Sequence, residues 1–82
     1  MNEGIKLPKW GETMEEGEIG EWFVKMGDRI IKGQALVSIE IDKANVDLES
    51  PVSGTVVSID SETGDIVPVG SVIAHVQTDE LS

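Results

Sequence analysis

The chain has 82 residues, a formal net charge of −10 and no cysteine. That length suits one small domain, near the lower end of what a single core stabilises unaided. The charge excludes nucleic acid or anionic membrane held through a basic patch, and the missing cysteines exclude disulfides and thiolate metal ligands.

In chain order, the N-terminal "MNEGIKLP" lacks the basic start and apolar run of a signal peptide, and no later segment approaches the length of a membrane span. Strand signals then dominate. "GIKLP", "EIGEWFV", "ALVSIEI", "NVDLESP", "TVVSID" and "VIAHVQ" are short runs rich in Val and Ile, punctuated by Gly-Asp pairs at 27–28 and 64–65, by Gly33 and Gly70, and by "PVSG" at 51–54. No window holds apolar residues at helical spacing for three turns. Short strands with turns every eight to twelve residues predict an all-β sandwich or barrel. The alternation slips at Leu36-Val37 and again at Val72-Ile73-Ala74, which predicts a bulge or bend where a strand passes between sheets. The reading is one domain over residues 1–82, with a core over about 3–78 and the polar "QTDELS" beginning a linker.

An internal repeat organises these runs. Residues 17–42 align with 54–79 without a gap, at a constant offset of 37 residues. Gly17 pairs with Gly54, Gly27-Asp28 with Gly64-Asp65, and Gly33 with Gly70; Ile19, Trp22, Ile30, Leu36 and Ile39 meet Val56, Ile59, Val67, Ile73 and Val76. Two copies are too few for a solenoid and suit a pseudo-two-fold sandwich in which each half covers the other.

Catalytic chemistry is sparse. His75 falls inside a predicted strand, with no cysteine to partner it and no serine in an elbow motif. "GETMEEGE" offers carboxylates without a helix or histidines and reads as a solvated acidic loop. "GDRIIKGQ" lacks the Gly-Lys-Ser/Thr ending of a phosphate loop. Trp22 fits the core, whereas Trp10, in the loop before "GETMEEG", is a candidate contact residue.

Lys43 stands apart as the only Lys or Arg after Lys32. It sits in the turn "IDKA", between alternating runs that meet at Asp42-Lys43. The turn lacks glycine, which predicts a type I geometry with Asp42 and Lys43 at its centre. Leu36, Ile39, Val46 and Leu48 hold this tip on a packed sheet, far from the C-terminal end of the second copy. A lysine amine on a long stem suits acyl carriage through an amide, yet its ordinary pKa of ~10.4 keeps it protonated, so chemistry must be installed by another enzyme.

"EIDKANVDLESPVSGTV" resembles the lipoyl-lysine segment of lipoyl domains, the mobile carriers of dihydrolipoyl acyltransferases in 2-oxo acid dehydrogenase complexes. "LPKWGETMEEGEIGEWFVKMGDRIIKGQ" is similar to the family's first two strands and their loop, and "GDIVPVGSVIAHV" to its closing strands. The resemblance spans roughly residues 5–76. It implies an all-β flattened barrel or sandwich of two four-stranded antiparallel sheets. It also implies lipoate amide-linked to Lys43, with Asp42 and Ala44 as turn flanks, attached by a lipoate protein ligase. The implied cycle is reductive acylation by a thiamin diphosphate-dependent 2-oxo acid decarboxylase, transfer to an acyltransferase catalytic core and reoxidation by dihydrolipoamide dehydrogenase. The domain would catalyse nothing itself and, isolated, would be a monomer of the cytoplasm, or of the mitochondrial matrix in a eukaryote.

The same resemblance places the loop 8–16 beside the lysine turn, where Trp10, Glu12, Met14, Glu15 and Glu16 are expected to serve partner recognition. The acidic surface suits steering toward a basic docking site. Ile41 departs from the Thr that many relatives carry. A biotin carrier shares the implied fold but usually flanks its lysine with Met on both sides, unlike Asp42 and Ala44. The lipoylated carrier of glycine cleavage is generally longer, with added helices. A module that only docks through its acidic face, without a prosthetic group, is the rival from another class.

Overall fold

The computed structural model describes residues 2–42 and 44–78. Its elements are eight strands: β1 (Asn2–Lys6), β2 (Glu16–Trp22), β3 (Arg29–Ile30), β4 (Ala35–Ile41), β5 (Ala44–Glu49), β6 (Gly54–Ile59), β7 (Ile66–Pro68) and β8 (Val72–Thr78). They form two four-stranded antiparallel sheets, ordered β1-β8-β6-β3 and β5-β4-β2-β7. The expected sandwich is present, and the two sheets do not close into a barrel. Six of the strands correspond to the apolar runs; β3 and β7 are two and three residues long, too short to show an alternation in sequence.

The repeat is a backbone symmetry. Gly27 N–H donates to the Val56 carbonyl and Gly64 N–H to that of Ile19, each at 2.8 Å. Val56 and Ile19 in turn donate to the Asp28 and Asp65 carbonyls, again at 2.8 Å. Within each turn the Asp side chain closes the loop, Oδ2 of Asp28 accepting from Lys25 N–H and Oδ2 of Asp65 from Glu62 N–H, both at 2.9 Å. Gly27 and Gly64 hold φ of 95° and 97°, a left-handed conformation that a Cβ disfavours. The two Gly-Asp pairs are therefore the same structural part used twice.

Between the sheets lies a core of Ile5, Leu7, Ile19, Ile30, Leu36, Val37, Ile39, Ile73 and Val76, each at most 2 % exposed. Burial of such side chains, at about 1.5–3 kcal/mol each, is the main force holding the sheets face to face. Leu36-Val37 and Ile73-Ala74 are consecutive buried pairs, which a regular strand cannot provide. The register shows how they arise: β4 skips Leu36 between Ala35↔Glu49 and Val37↔Leu48, and β8 skips Ile73 between Lys6↔Val72 and Ile5↔Ala74. The expected bulges are there, but among the described residues no strand passes between sheets. Each bulge turns an extra side chain into the core while its strand stays in one ladder.

Candidate functional site

The β4–β5 hairpin carries the site. Ser38↔Asp47, Ile39↔Val46, Glu40↔Asn45 and Ile41↔Ala44 pair in unbroken register, leaving a loop of residues 42 and 43. Lys43 itself lies outside the described residues. Asp42 has φ of 56°, which excludes the type I turn that the glycine-free sequence predicts. Two-residue hairpins favour primed turns, whose twist matches that of the strands. Asp enters the left-handed region more readily than most side chains, so no glycine is needed. Ile39 and Leu48 anchor the hairpin in the core, Ile41 and Val46 are half-buried, and Asp42 and Ala44 are exposed. The described flanks of the tip thus face solvent on a packed base.

Beside it runs the β1–β2 loop, pinned at both ends. Leu7 exchanges hydrogen bonds with the β7–β8 turn, donating to the Ser71 carbonyl at 2.9 Å and accepting from Gly70 N–H at 2.8 Å. At the other end Val69 N–H donates to the Glu15 carbonyl at 2.9 Å. In between, Met14 N–H donates to the Gly11 carbonyl, and Met14 Sδ accepts from Trp10 N–H at 3.4 Å. Met14 is 8 % exposed and belongs to the core cluster, which corrects its expected place on the contact surface. It holds the loop down. Trp10, at 41 % exposure, and Glu12, Glu15 and Glu16 remain on the surface.

Loop and hairpin together flank an open, solvent-facing cleft of about 630 Å³. Trp10, Gly11, Thr13, Met14, Glu15 and Glu16 form one wall, and Ile41, Asp42, Ala44 and Val46 the other. Thr13, Ile41 and Val46 belong to this cleft, a role that sequence analysis had not given them. Ile41 is the cross-strand partner of Ala44, and Val46 lies two residues along the same strand, so alternation from Ala44 would have found Val46. A smaller depression on the outer side is lined by Glu16, Glu18, Glu40 and Asp42. Among the described residues, no group of three or more His, Asp or Glu is placed to hold a metal ion.

The other polar cluster is far simpler than its composition suggests. His75 Nδ1 lies 2.6 Å from Asp60 Oδ2 and 3.3 Å from Ser58 Oγ, and Ser58 also donates to Asp60 Oδ1 at 3.3 Å. Serine and carboxylate meet the same ring nitrogen, so the imidazole cannot relay a proton from one to the other. His75 and Asp60 side chains are 42 % and 37 % exposed, a surface contact between β8 and the residue that follows β6. Trp22 is half-buried against the core, its Nε1–H donating to the Ser61 carbonyl at 3.0 Å.

The family model described as "Biotin-requiring enzyme", of the biotin/lipoyl type, matches residues 3–76, and the chain belongs to that family. Its similarities then fall on the lipoyl side. It is 39 % identical over 75 residues to the lipoamide acyltransferase component of the branched-chain alpha-keto acid dehydrogenase complex of Pseudomonas putida, covering 92 % of this chain and 18 % of the relative. It is 44 % identical over 72 residues to the dihydrolipoyllysine-residue acetyltransferase component of the pyruvate dehydrogenase complex of Staphylococcus aureus (strain Mu50), covering 88 % and 17 %. The chain thus spans less than a fifth of the length of these relatives. The solution structure of the lipoyl domain of the 2-oxoglutarate dehydrogenase complex from Azotobacter vinelandii aligns with a TM-score of 0.74 at 26 % identity, over 90 % of this chain and 94 % of that one. Urea carboxylase from Kluyveromyces lactis aligns with a TM-score of 0.80 at 22 % identity, over 94 % of this chain and 6 % of that one, and shows the shared fold alone.

Proposed function

We propose that this domain is a lipoyl carrier, with lipoate joined by an amide to Nζ of Lys43, serving the active sites of a 2-oxo acid dehydrogenase complex. The observation that carries the reading is the two-residue tip between Ile41 and Ala44, with Asp42 before the lysine, in a chain similar to lipoyl domains along nearly its whole length. Lipoate, when bound, supplies a dithiolane that can take up an acyl group together with two electrons.

What the chain itself contributes is presentation. The paired strands fix the tip, Asp42 sets the direction of the turn, and the exposed flanks leave room for a modifying enzyme to reach the amine. A hairpin already ordered spares a ligase the conformational entropy of fixing a flexible segment, about 1–2 kcal/mol per residue. In this reading the domain has no catalytic group of its own. Its partners are a lipoate protein ligase, a thiamin diphosphate-dependent decarboxylase, an acyltransferase core and dihydrolipoamide dehydrogenase. Trp10, Glu12, Glu15 and Glu16, on the loop facing the tip, are the residues a decarboxylase would read.

Incubation with a lipoate ligase, lipoate and ATP tests the reading by intact mass. The parent chain should gain one lipoyl group. Lys43→Gln should gain none while keeping its unfolding free energy within about 0.5 kcal/mol, as exposed substitutions generally do. Lipoylation of the folded variant, or biotin accepted from a biotin ligase in preference to lipoate, overturns it.

A further inference from the structure

The open cleft between loop and hairpin has walls with a chemistry of their own. Trp10 stands 41 % exposed although the core is close at hand, and the same loop buries Met14 to 8 %. Ile41 and Val46, both half-buried, face them from the hairpin. The apolar surface is thus shared between two elements that do not pair with one another. Its volume of about 630 Å³ lies within the range of small-molecule sites, ~300–1,000 Å³. Around it stand the carboxylates of Glu15, Glu16 and Asp42.

We infer that this cleft is a resting berth for the domain's own lipoyl arm, in which the hydrocarbon chain and dithiolane lie against Trp10, Met14, Ile41 and Val46. The inference rests on the carrier reading above. The occupant is set by connectivity: Asp42 and Ala44 both line the cleft, so a group joined to the residue between them is tethered at its edge. Tethering supplies a high effective concentration, so weak apolar contact is enough to populate the berth. Charge points the same way. An unmodified lysine ammonium is drawn to the surrounding carboxylates, whereas amide formation removes the cation and adds an apolar chain for which the Trp10 wall is the nearest cover. The arm then divides its time between berth and solvent, and a partner that engages the loop at Trp10 releases it.

The test uses the ligase-loaded domain, with loading confirmed by intact mass. Amide spectra of the unlipoylated and lipoylated protein should differ at Gly11, Thr13 and Val46 and at the Trp10 indole, as well as at the tip. After reduction of the dithiolane with a phosphine, N-ethylmaleimide should trap the thiols several-fold more slowly than those of free dihydrolipoamide. Trp10→Ala, which removes an exposed side chain outside the core, should restore most of the difference. Shifts confined to residues 42–44, or trapping rates equal in parent, variant and free dihydrolipoamide, overturn the berth and leave the carrier reading standing. Failure to load lipoate overturns the carrier reading and the berth with it.

Discussion

The two sheets share one backbone plan and wear different surfaces. The strands of the hairpin sheet carry Glu16, Glu18, Glu21, Glu40, Asp47 and Glu49 and no Lys, Arg or His. Those of the opposite sheet carry Glu3 against Lys6, Arg29 and His75. The turns and core positions are duplicated because folding demands them: a left-handed glycine and a buried aliphatic residue are needed at each symmetric place. Surface charge is not so constrained. Glu18 and Glu40 are direct cross-strand partners, and like charges so placed are destabilising. That cost falls on the sheet that carries the β4–β5 hairpin.

The sharpest way to break the comparison is through the symmetric glycines of β2 and β6. A Cβ on Gly54 would overlap the Gln77 carbonyl oxygen, fixed backbone within the same ladder. A Cβ on Gly17 would come 2.7 Å from Ile39 Cγ2, a side-chain methyl. Gly54→Ala should therefore cost about 3 kcal/mol and Gly17→Ala about 1–2 kcal/mol, by the usual range for overpacking. Urea unfolding of both measures the difference; equal losses would mean that the halves yield alike.

A second, smaller effect concerns function. Neutralising Glu12, Glu15 and Glu16 together to Gln should slow reductive acylation by a 2-oxo acid decarboxylase about tenfold at low salt, in the range electrostatic steering supplies. The ligase rate and the unfolding midpoint should stay unchanged. If all three quantities fall together, the loop's carboxylates are structural.

Smallest of all is the cross-strand repulsion itself. Glu18→Gln should raise stability by about 0.5 kcal/mol, and concentrated salt should erase the gain by screening. Glu3→Gln, on the opposite sheet and paired with Val76, should give no such gain. A gain for Glu3→Gln as large as that for Glu18→Gln would point to net charge rather than to the cross-strand pair.

How far these features were visible in the sequence follows from their physical range. Gly27-Asp28 and Gly64-Asp65 announce themselves because positive φ selects glycine and the following Asp caps its own turn. Leu36-Val37 and Ile73-Ala74 broke the alternation and so revealed the bulges. The hand of the hairpin turn was hidden, since Asp42 reaches φ of 56° without the glycine that usually advertises it. Met14 was misplaced because a loop has no periodicity to say which side chain turns inward. The Ser58–Asp60–His75 contact joins residues 15 and 17 positions apart, and only strand pairing could bring them together. The cleft likewise belongs to two segments 25 residues apart in sequence, Trp10 to Glu16 and Ile41 to Val46.

The strand order also sets a timetable. β2, β4 and β5 can all pair once residue 49 has left the ribosome, since each finds its neighbour within that span. In the other sheet β1 has β8 as its ladder partner, joining Asn2 to Gln77, and β6 waits for the same strand. Until then that sheet has only the two residue pairs of β3 with β6. Long-range pairing of this kind is slow, because the intervening loop must close before any contact repays it. The hairpin that offers the lysine is thus the most local pairing in the fold, whereas β1 and β6 both depend on β8, the last strand in the sequence order.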